Sequence, residues 1–386
     1  MTPKPLRIGI VAGETSGDIL ASGMVAAIRK QYPDAIFEGI AGPRMQAAGC
    51  TTLFDMDELS VMGIVEVLPK IPRILHIRKT VLQYFIENPP DIFIGVDAPD
   101  FNLSLEEKLK NLGVLTVHYV CPTIWAWKEK RAKKIARATD AVYCVFPFEP
   151  EHCHKHGIKG HFVGHSLADQ IPLQVDKAAA RETLELSEHD QVIGLLPGSR
   201  ASEVDMLLED FVRSAEKLKV KMPELKALIP VVNKQRKAQI EKKLQTLSPK
   251  IEVRTIFGHA QEVMIAADCV LLASGTAALE AMMCKSPMVV AYKLKAFTHF
   301  MMKRLYKPKY FSLPNILVNR EMVPELLQEQ VNPDNVADIL WQQMQRDKEE
   351  FHTECAAVHE TLKLQADVVA ANTTIQLLKD AGKLPC

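Results

Sequence analysis

The chain has 386 residues, more than a single hydrophobic core usually holds, so we expect two domains of ordinary size. Its 47 basic and 47 acidic residues give a formal net charge of zero, which excludes attraction of the whole molecule to nucleic acid. The eight cysteines form no C-x-x-C pair, and no export signal opens the sequence, so we expect a reduced, cytoplasmic protein.

The first half of the chain alternates apolar runs with helical patterns. Leu6 to Ala12 predicts a strand, followed by a Gly/Ser turn and a helix from Ile19 to Lys30. Further strands are predicted at 37–41, 91–96, 115–120 and 141–145. Strands that alternate with helices indicate a mostly parallel sheet. The first turn lacks G-x-G-x-x-G spacing, which argues against a dinucleotide site.

A second cycle of the same kind begins after the pattern lapses, and we place a domain boundary near residues 170–185. Its strands are predicted at 192–196, 225–232, 251–256, 269–273 and 288–291. From Val336 to Leu378 the pattern is helical and polar. The chain therefore predicts an α/β protein with two parallel sheets and a helical tail.

The turn Ser274-Gly275-Thr276 lies between an apolar strand and a helix predicted at 277–284. A helix start has unpaired backbone N–H groups and a partial positive charge, and glycine allows a ligand to approach the backbone. This turn therefore suits a phosphate. Glu280 follows in the helix, where its carboxylate suits ribose hydroxyls. Alternatively, Ser274 or Thr276 only caps the helix and Glu280 is solvated.

Pro197-Gly198-Ser199-Arg200 forms a second strand-to-helix turn. An arginine fork beside unpaired backbone N–H groups suits a phosphate that gains charge as it leaves. The alternative is that Arg200 pairs with Glu203 on the helix surface.

Asp97 ends a predicted strand, and ligands of open parallel sheets gather at the carboxyl ends of strands. A carboxylate at this point can act as a general base. Its alternative role is to cap the next helix, although Asp100, Asn102 and Ser104 lie nearer to that helix and are better candidate caps.

Four further polar or small residues are candidates for a binding site. Glu14, Ser16 and Gly17 occupy the strand-to-helix turn of the first half, and we expect them to face the second half across a cleft. Asn315 is a lone polar residue in an apolar context, where its amide can also simply satisfy the backbone.

His152, Cys153, His154 and His156 resemble a metal cluster. A helix would place His152 and His156 on one face. However, no second ligand pair follows at structural-zinc spacing, so we predict no metal site.

A basic and aromatic stretch indicates contact with a membrane surface. No acidic residue occurs between Ala281 and Arg320, whereas Lys303, Arg304 and Lys307 lie among aromatic and apolar side chains. Near an anionic surface each basic residue contributes about 1 kcal/mol before screening. The alternative is a basic rim around a nucleotide pocket.

The segment 62–85 has a related interfacial pattern, in which apolar residues alternate with basic ones. Its candidate lipid contacts are Val65, Val67, Leu68 and Arg73. The alternative is an ordinary core helix. Basic and aromatic residues also suit single-stranded nucleic acid, but nothing else in the chain supports that partner.

Eight ordered motifs resemble the lipid-A-disaccharide synthase family, over a match from about Leu6 to Gln328. The motifs are Val11-Ala-Gly-Glu-Thr-Ser-Gly-Asp18, Ala41-Gly-Pro-Arg-Met45, Val61-Met-Gly-Ile-Val-Glu-Val67, Asp97-Ala-Pro-Asp-Phe-Asn102, Trp125-Ala-Trp127, Leu196-Pro-Gly-Ser-Arg200, Ala273-Ser-Gly-Thr-Ala-Ala-Leu-Glu280 and Ser312-Leu-Pro-Asn315. The helical tail matches only loosely.

The resemblance implies a GT-B-type fold, in which two Rossmann-like domains have parallel sheets that face an interdomain cleft. On this basis residues 1–175 form the acceptor domain and residues 176–345 form the UDP-sugar-binding domain. The tail, residues 346–386, is expected to pack back on the N-terminal domain or on a partner subunit.

The resemblance also implies the reaction. The donor would be UDP-2,3-diacylglucosamine and the acceptor 2,3-diacylglucosamine 1-phosphate, joined with inversion into a β(1→6) disaccharide 1-phosphate with release of UDP. No cofactor and no metal are implied. By the same resemblance the enzyme works in the cytoplasm, on the inner face of the inner membrane, and can form homodimers that exchange C-terminal segments.

Residue roles follow by the same resemblance. Asp97 would accept the proton of the acceptor hydroxyl. Arg200 would stabilise the departing diphosphate, together with the other members of both turns, which are Gly198, Ser199, Ser274, Gly275 and Thr276. Glu280 and Asn315 would hold ribose, uracil or phosphate. Glu14, Ser16 and Gly17 would border the sugar.

Two alternatives remain open from the sequence. One is another GT-B-type enzyme that uses UDP-N-acetylglucosamine, either a transferase or an epimerase. The other is a nucleotide-sugar-binding protein at the membrane without catalytic activity.

Overall fold

The computed structural model describes residues 5–59, 70–126, 129–295, 304, 306 and 308–384. The chain forms two compact units. Unit 1 comprises Met1–Asp169 and Thr361–Cys386, and unit 2 comprises Gln170–Glu360. The chain therefore passes between the units twice, and its C-terminal segment belongs to the same unit as its N-terminal half.

The strands are short, with three to six residues each. In chain order they are β1 (Arg7–Ala12), β2 (Ile36–Ile40), β3 (Cys50–Phe54), β4 (Ile92–Val96), β5 (Leu115–Tyr119), β6 (Ala141–Cys144), β7 (Gly160–Phe162), β8 (Val192–Leu196), β9 (Lys226–Val231), β10 (Glu252–Phe257), β11 (Cys269–Ala273), β12 (Met288–Tyr292) and β13 (Glu325–Leu327). The central strands β4 and β11 are buried at every position, as expected for parallel strands covered on both faces.

The helices lie between these strands and at the C-terminus. They are α1 (Thr15–Gln31), α2 (Pro43–Ala47), α3 (Ile71–Glu87), α4 (Pro99–Asn111), α5 (Glu129–Ala138), α6 (Glu149–His154), α7 (Ser166–Gln170), α8 (Lys177–Thr183), α9 (Ala201–Leu218), α10 (Lys234–Leu247), α11 (Ala260–Ala266), α12 (Thr276–Met283), α13 (Leu313–Val318), α14 (Pro333–Met344), α15 (Lys348–Leu362) and α16 (Ala366–Asp380). Short 3-10 turns occur at Met56–Glu58 and Gln328–Gln330.

Each unit has its own parallel sheet with a reversal of strand order near its centre. The order in unit 1 is β3-β2-β1-β4-β5-β6-β7, so the order reverses between β1 and β4. The order in unit 2 is β10-β9-β8-β11-β12-β13, so it reverses between β8 and β11. Ligands of such sheets bind at these switch points, outside the carboxyl ends of the strands.

Helix α9 illustrates how the sequence pattern places a helix on its sheet. Its buried residues Val204, Leu207, Leu208, Phe211 and Ala215 recur at intervals of three and four, which puts them on one face. That face packs into the core of unit 2 with apolar residues of β8, β9 and β11. The N-terminus of α9 is thereby held at the carboxyl end of β8.

The C-terminal helix α16 packs against α1 within unit 1. The hydroxyl groups of Thr374 and Tyr143 are 2.7 Å apart in the core, and Gln31 donates a hydrogen bond of 2.9 Å to Asn372. A backbone hydrogen bond also joins the end of α15 to the N-terminal part of unit 1, since the N–H of His165 donates to the carbonyl of Leu362.

The predicted alternation of strands and helices is confirmed, with nearly the same strand bounds. The strands β3, β7 and β13 were not predicted. Each is an edge strand of its sheet, and β7 and β13 have only three residues each. Within the described part of the chain, we find no helix whose length and apolar run would let it span a bilayer.

Candidate active site

The two phosphate turns predicted from the sequence follow neighbouring strands of unit 2. Strands β8 and β11 are paired in parallel, with Leu196 opposite Leu272. The turn 197–200 therefore begins beside the turn 274–276, at the switch point of the sheet. Two helices, α9 and α12, start at this edge, and their N-terminal N–H groups favour an anion.

Gly198 is required by the geometry of the first turn. Its φ is +117°, a left-handed value that favours glycine, and an added Cβ would meet the side chain of Glu203. Glu203 is largely buried and accepts a hydrogen bond from the backbone N–H of Arg200 at 3.2 Å. Glu203 therefore closes the turn from its inner side, while Ser199 is exposed.

The pair between Arg200 and Glu203, considered as an alternative from the sequence, is present. The guanidinium Nη1 lies 3.3 Å from Glu203 Oε1, and the Arg200 side chain is 52% exposed. Glu203 is largely buried, but solvent reaches the guanidinium and screens the pair, so we expect it to contribute about 0–1 kcal/mol. It is weak enough for the guanidinium to exchange it for a more highly charged phosphate.

The second turn is open and is not capped by a side chain. Helix α12 begins after Gly275, and neither Ser274 nor Thr276 provides a cap. An added Cβ at Gly275 would meet no heavy atom of the described residues within 4 Å, and both Gly275 and Thr276 are exposed. Ser274 donates to the carbonyl of Phe311 at 3.4 Å. The start of α12 is therefore accessible to a ligand.

Glu280 is held from one side by a residue that sequence reasoning missed. Gln261 Nε2 on α11 donates to Glu280 Oε1 at 3.0 Å. The pKa of Glu280 is raised above its ordinary value, mainly by burial. The Gln261 hydrogen bond lowers this pKa in part, and the charge of Glu262 raises it. Glu280 is therefore an oriented, half-buried carboxylate rather than a solvated one.

Asn315 is completely buried, and its amide is fully used within the protein. Nδ2 donates to Val323 O at 2.8 Å and to Glu325 Oε1 at 2.9 Å. Oδ1 accepts the backbone N–H groups of Met322 and Val323 at 2.7 and 2.9 Å. These contacts support the architectural alternative for Asn315, and a direct ligand contact remains a prediction.

Glu325 was not singled out from the sequence, yet it organises the same segment. Its carboxylate accepts the N–H groups of Phe311 and Ser312 at 2.9 and 2.8 Å, and the Ser312 hydroxyl at 2.6 Å. The segment 311–315 is thereby attached to β13, close to Ser274, which donates to Phe311. This contact is visible only in the folded structure, because Glu325 lies ten residues beyond Asn315 in the sequence.

In unit 1 the predicted turns also meet at the switch point. Ala12 at the end of β1 pairs with Val96 at the end of β4. An added Cβ at Gly13 would lie 2.9 Å from Ala98 Cβ, and one at Gly17 would lie 3.4 Å from Val96 Cγ1. The turn with Glu14, Ser16 and Gly17 therefore packs directly on the turn with Asp97.

The residues of the first turn differ in their surroundings. Gly17 is buried against β4, Glu14 is half-buried and Ser16 is exposed. Asp18 is buried and accepts the N–H groups of Arg44 and Met45 at 3.0 and 2.9 Å. Asp18 thus caps α2 and joins two of the motifs noted in the sequence.

Asp97 lies in a strained turn directly after β4. Both Asp97 and Ala98 have left-handed backbone angles, with φ of +51° and +43°. Such conformations cost about 1–3 kcal/mol each and cluster at functional sites. The Asp97 carboxylate is half-buried and has no hydrogen-bond or ion-pair partner among the described residues.

No side chain of the described residues caps the start of α4, the helix that follows Asp97, although the sequence offered Asp97, Asp100, Asn102 and Ser104 as candidate caps. Helix α4 begins after Ala98 and has no side-chain cap. Asn102, expected as a cap, instead points its amide at backbone carbonyls inside the unit, and Asp100 pairs with Arg131. Capping therefore does not explain the acidic residue at position 97.

Three cysteines, rather than the histidines noted in the sequence, form a compact group. Among the described residues, the sulfur atoms of Cys121, Cys144 and Cys153 lie within 4.8 Å of one another, with separations of 3.6 and 3.9 Å from Cys153. They are the residues that could hold a thiolate-preferring metal. These separations are also those of thiols in van der Waals contact, and the group lies in an apolar cluster, which explains it as core packing.

Five of the seven candidate membrane residues lie outside the described residues. These are Val65, Val67, Leu68, Lys303 and Lys307. Arg304 is exposed. Arg73 pairs with Glu58 through two bonds of 2.6 and 3.0 Å, a partner that was not foreseen. On α3 the apolar residues Ile71, Leu75 and Ile86 are 38–47% exposed.

Known proteins match this chain along most of its length. A family model described as Lipid-A-disaccharide synthetase matches residues 8–378. The Lipid-A-disaccharide synthase of Pseudoalteromonas translucida (strain TAC 125) is 50% identical over 377 residues, which cover 97% of this chain and 98% of that protein.

Solved structures of the same fold include two with UDP in their descriptions. The S. aureus MnaA-UDP co-structure superposes with a TM-score of 0.65 at 12% identity, covering 98% of each chain. The UDP-GlcNAc 2-epimerase of Methanocaldococcus jannaschii in complex with UDP-GlcNAc and UDP gives a TM-score of 0.59 at 13% identity, covering 97% of this chain and 100% of that one. At these identities the likeness concerns the fold alone, and it confirms the predicted GT-B-type fold of two parallel α/β domains.

Proposed function

The chain belongs to the lipid-A-disaccharide synthetase family, and from this premise we propose that it transfers a 2,3-diacylglucosamine residue from UDP to 2,3-diacylglucosamine 1-phosphate. As a member, it is a glycosyltransferase of lipid A biosynthesis with a UDP-sugar donor and a lipid acceptor. The proposed products are the β(1→6)-linked disaccharide 1-phosphate and UDP.

The observation that carries the proposal is the pairing of β8 with β11. It brings two helix starts side by side in unit 2. The start of α9 has Gly198 and Arg200 in its turn and is closed by Glu203, and the start of α12 follows Gly275 without a side-chain cap. A diphosphate has two charged groups and fits two adjacent N-termini better than one. We assign the diphosphate of the donor to Gly198, Ser199, Ser274, Gly275 and Thr276.

The proposed reaction is a single in-line displacement with inversion. The Asp97 carboxylate accepts the proton of the acceptor hydroxyl, and the oxygen forms a bond to the anomeric carbon. The bond from that carbon to the phosphate oxygen breaks, and its electron pair stays on UDP. Arg200 and the helix N-termini stabilise this charge, which grows as the bond breaks and favours the transition state over the bound donor.

The remaining predicted residues are assigned to the sugar and nucleoside parts. Glu280, oriented by Gln261, suits the ribose hydroxyls, since an oriented carboxylate accepts two hydrogen bonds. Glu14, Ser16 and Gly17 border the sugar beside Asp97. We assign Asn315 to the organisation of segment 311–315, with ligand contact as a further prediction.

We further propose that the enzyme works at the inner face of the inner membrane. Moving one long acyl chain into water costs on the order of 8–10 kcal/mol, at about 0.8 kcal/mol per CH₂. In unit 1 we assign to this contact the exposed apolar residues of α3 and Arg73, together with Val65, Val67 and Leu68. In unit 2 we assign Arg304, together with Lys303 and Lys307.

A homodimer with exchanged C-terminal segments is a further proposal. The contacts of α16 with α1 lie within one chain here, and the same contacts could form between two chains. Molecular mass by light scattering, with and without residues 361–386, measures the oligomeric state.

The test of the proposed reaction is an assay with purified full-length protein and defined substrates. We expect turnover of UDP-2,3-diacylglucosamine with 2,3-diacylglucosamine 1-phosphate and a product mass equal to the disaccharide 1-phosphate. Turnover of unacylated UDP-N-acetylglucosamine alone would reject the proposed donor and favour the transferase or epimerase alternative.

A further inference from the structure

The side chain of Asn102 joins the ends of two neighbouring strands in unit 1. Its Nδ2 atom lies 2.9 Å from the carbonyl oxygen of Asp97 and 3.3 Å from those of Val11 and Val96. Val11 is in β1 and Val96 in β4, so a single amide bridges the switch point. Asn102 is fully buried, which excludes water as a competitor for these carbonyls.

The backbone that Asn102 contacts is strained. Asp97 and Ala98 are both in the left-handed region, which is unfavourable for residues with a Cβ. Such a conformation persists only where its surroundings enforce it. The amide of Asn102 provides this restraint, because its shortest bond is to the carbonyl of Asp97 itself.

Two further buried side chains lie beneath Asn102. Glu106 follows one turn later on α4, on the same face, and its Oε1 is 2.7 Å from His118 Nδ1. His118 lies on β5, opposite Gly95 of β4 in the register. An added Cβ at Gly95 would overlap Glu106 and lie 2.7 Å from Asn102 Cβ, so glycine opens the space they occupy.

This polar group is unfavourable as core packing. Asn102 Oδ1, Glu106 Oε2 and His118 Nε2 are buried without a hydrogen-bond partner among the described residues. Buried unpartnered polar atoms destabilise a fold, and apolar residues of the same shape would generally be tolerated better. Its member Asn102 bonds to the carbonyl of Asp97, which indicates that the group serves that turn rather than stability.

We propose that Asn102 is a positioning residue for the catalytic base Asp97, and that Glu106 and His118 hold Asn102 in place. This inference rests on the proposed function of Asp97. Asn102 acts on the backbone from which the carboxylate projects and does not contact the reacting atoms. A displacement of a catalytic group by about 1 Å costs about 100-fold in rate.

The test is a double-mutant cycle in the full-length enzyme, with UDP-2,3-diacylglucosamine as the donor and Asn102→Ala and Asp97→Asn as the two changes. We expect Asn102→Ala to lower kcat by about 100-fold while the donor KM changes less than about twofold. The kcat of the double variant should lie within about threefold of the kcat of Asp97→Asn, because Asn102 acts only through the base. Losses that multiply would overturn the positioning role.

The cycle separates this inference from the proposed function. Wild-type turnover in Asp97→Asn would overturn the proposed base, and with it the positioning role. A slow Asp97→Asn combined with multiplying losses would overturn the positioning role alone.

A second pair of variants keeps the test decisive if Asn102→Ala fails to fold. Glu106→Gln keeps the shape and can donate to His118 Nδ1, so we expect kcat within about threefold of wild type, against a loss of about tenfold for Glu106→Leu. Equal kcat in both variants would overturn the role of Glu106.

Thr116→Val is the matched control. Thr116 is fully buried on the same strand as His118 but bonds to Ala138 and Asp140. It should lower Tm and leave kcat unchanged. A loss of kcat as large as that of Asn102→Ala would identify general destabilisation and overturn the inference.

Discussion

The side chain of Glu203 occupies the space that a side chain at Gly198 would need. The same carboxylate binds the N–H of Arg200, so the shape of the turn and the position of the arginine depend on one residue. Gly198→Ala should therefore displace Glu203 and open the turn, with a strain of about 1–3 kcal/mol from its positive φ.

We expect Gly198→Ala to weaken UDP binding at least about tenfold, since the turn loses its geometry. Isothermal titration with UDP measures this change. Gly258→Ala is the matched control, because Gly258 also has a positive φ but has no heavy atom near an added Cβ. If both variants bind UDP as wild type does, turn 197–200 is not part of the diphosphate site.

Arg200→Ala tests the contribution of the guanidinium. A charge-assisted hydrogen bond is worth about 1.5–3 kcal/mol, so we expect kcat/KM to fall by about 10- to 150-fold. The loss should be mainly in kcat, because charge develops on the diphosphate as the bond breaks. Steady-state kinetics with saturating acceptor measure the two constants separately.

Arg213→Ala is the control for Arg200→Ala. Arg213 pairs with Glu216 three residues later on the same helix, as Arg200 pairs with Glu203. Loss of an ordinary helix-surface pair should not change turnover. Equal losses in the two variants would contradict a role of Arg200 in catalysis.

Asp97→Asn removes the proposed base and keeps its shape. General base catalysis contributes about 100- to 10,000-fold, so kcat should fall within that range while UDP affinity stays unchanged. Single-turnover assays and UDP titration measure the two properties. Asp100→Asn, which changes an exposed carboxylate three residues later, should keep full turnover. Full activity of Asp97→Asn would exclude the proposed mechanism.

The docking of α16 should weaken as pH rises. Burial raises the pKa of Asp367 to about 6, with a further increase from Asp169. The folded state holds this proton more tightly than the unfolded chain, whose carboxyl pKa is about 4. The stability from this group is therefore present below about pH 4 and is lost as pH rises through about 6.

Asp367→Asn should consequently raise Tm more at neutral pH than at about pH 3, where both states of the wild type are largely protonated. Thermal unfolding at several pH values measures the difference. Asp380→Asn changes an exposed carboxylate of the same helix and should show no such trend. A pH-independent change in Tm for Asp367→Asn would contradict the raised pKa.

Reversal of Lys303, Arg304 and Lys307 to Glu should weaken binding to vesicles that contain anionic lipid. Each reversal removes about 1 kcal/mol of attraction and adds repulsion, whereas UDP affinity should stay nearly unchanged. Vesicle sedimentation at low and high salt measures the effect. The exposed residues Lys234, Lys242 and Lys250 of unit 2 provide a control with the same charge change. Equal losses of vesicle and UDP binding would assign the segment to the nucleotide.

Much of the site could be predicted because it follows from local rules. A buried strand, a glycine and a helix start occur together in a few residues, so the turns 197–200 and 274–276 were recognisable without neighbours. The alternatives at these turns required the structure, because Arg200 can pair with Glu203 or bind a phosphate with the same sequence. The structure shows the pair of Arg200 with Glu203 and shows that Gly275 and Thr276 are exposed.

The residues that were missed act over long sequence separations. Glu325 binds Ser312 and Asn315 across a loop, Gln261 reaches Glu280 from another helix, and His118 meets Glu106 from the next strand. A polar residue in an apolar run gives the same sequence signal whether it faces a ligand or a buried partner. The assignment of Asn102 as a helix cap failed for that reason.

The sequence by itself determined the alternation of strands and helices, the two sheets and the turns with glycine, because these depend on periodicity and on backbone angles that few residues adopt. It also indicated the family, through the resemblance of eight ordered motifs. Only the tertiary structure decided which turns are neighbours, since strand order is set by how helices pack on both faces of a sheet. It alone placed Asn102 against the carbonyl of Asp97, because a hydrogen bond depends on distance and direction in space rather than on spacing along the chain.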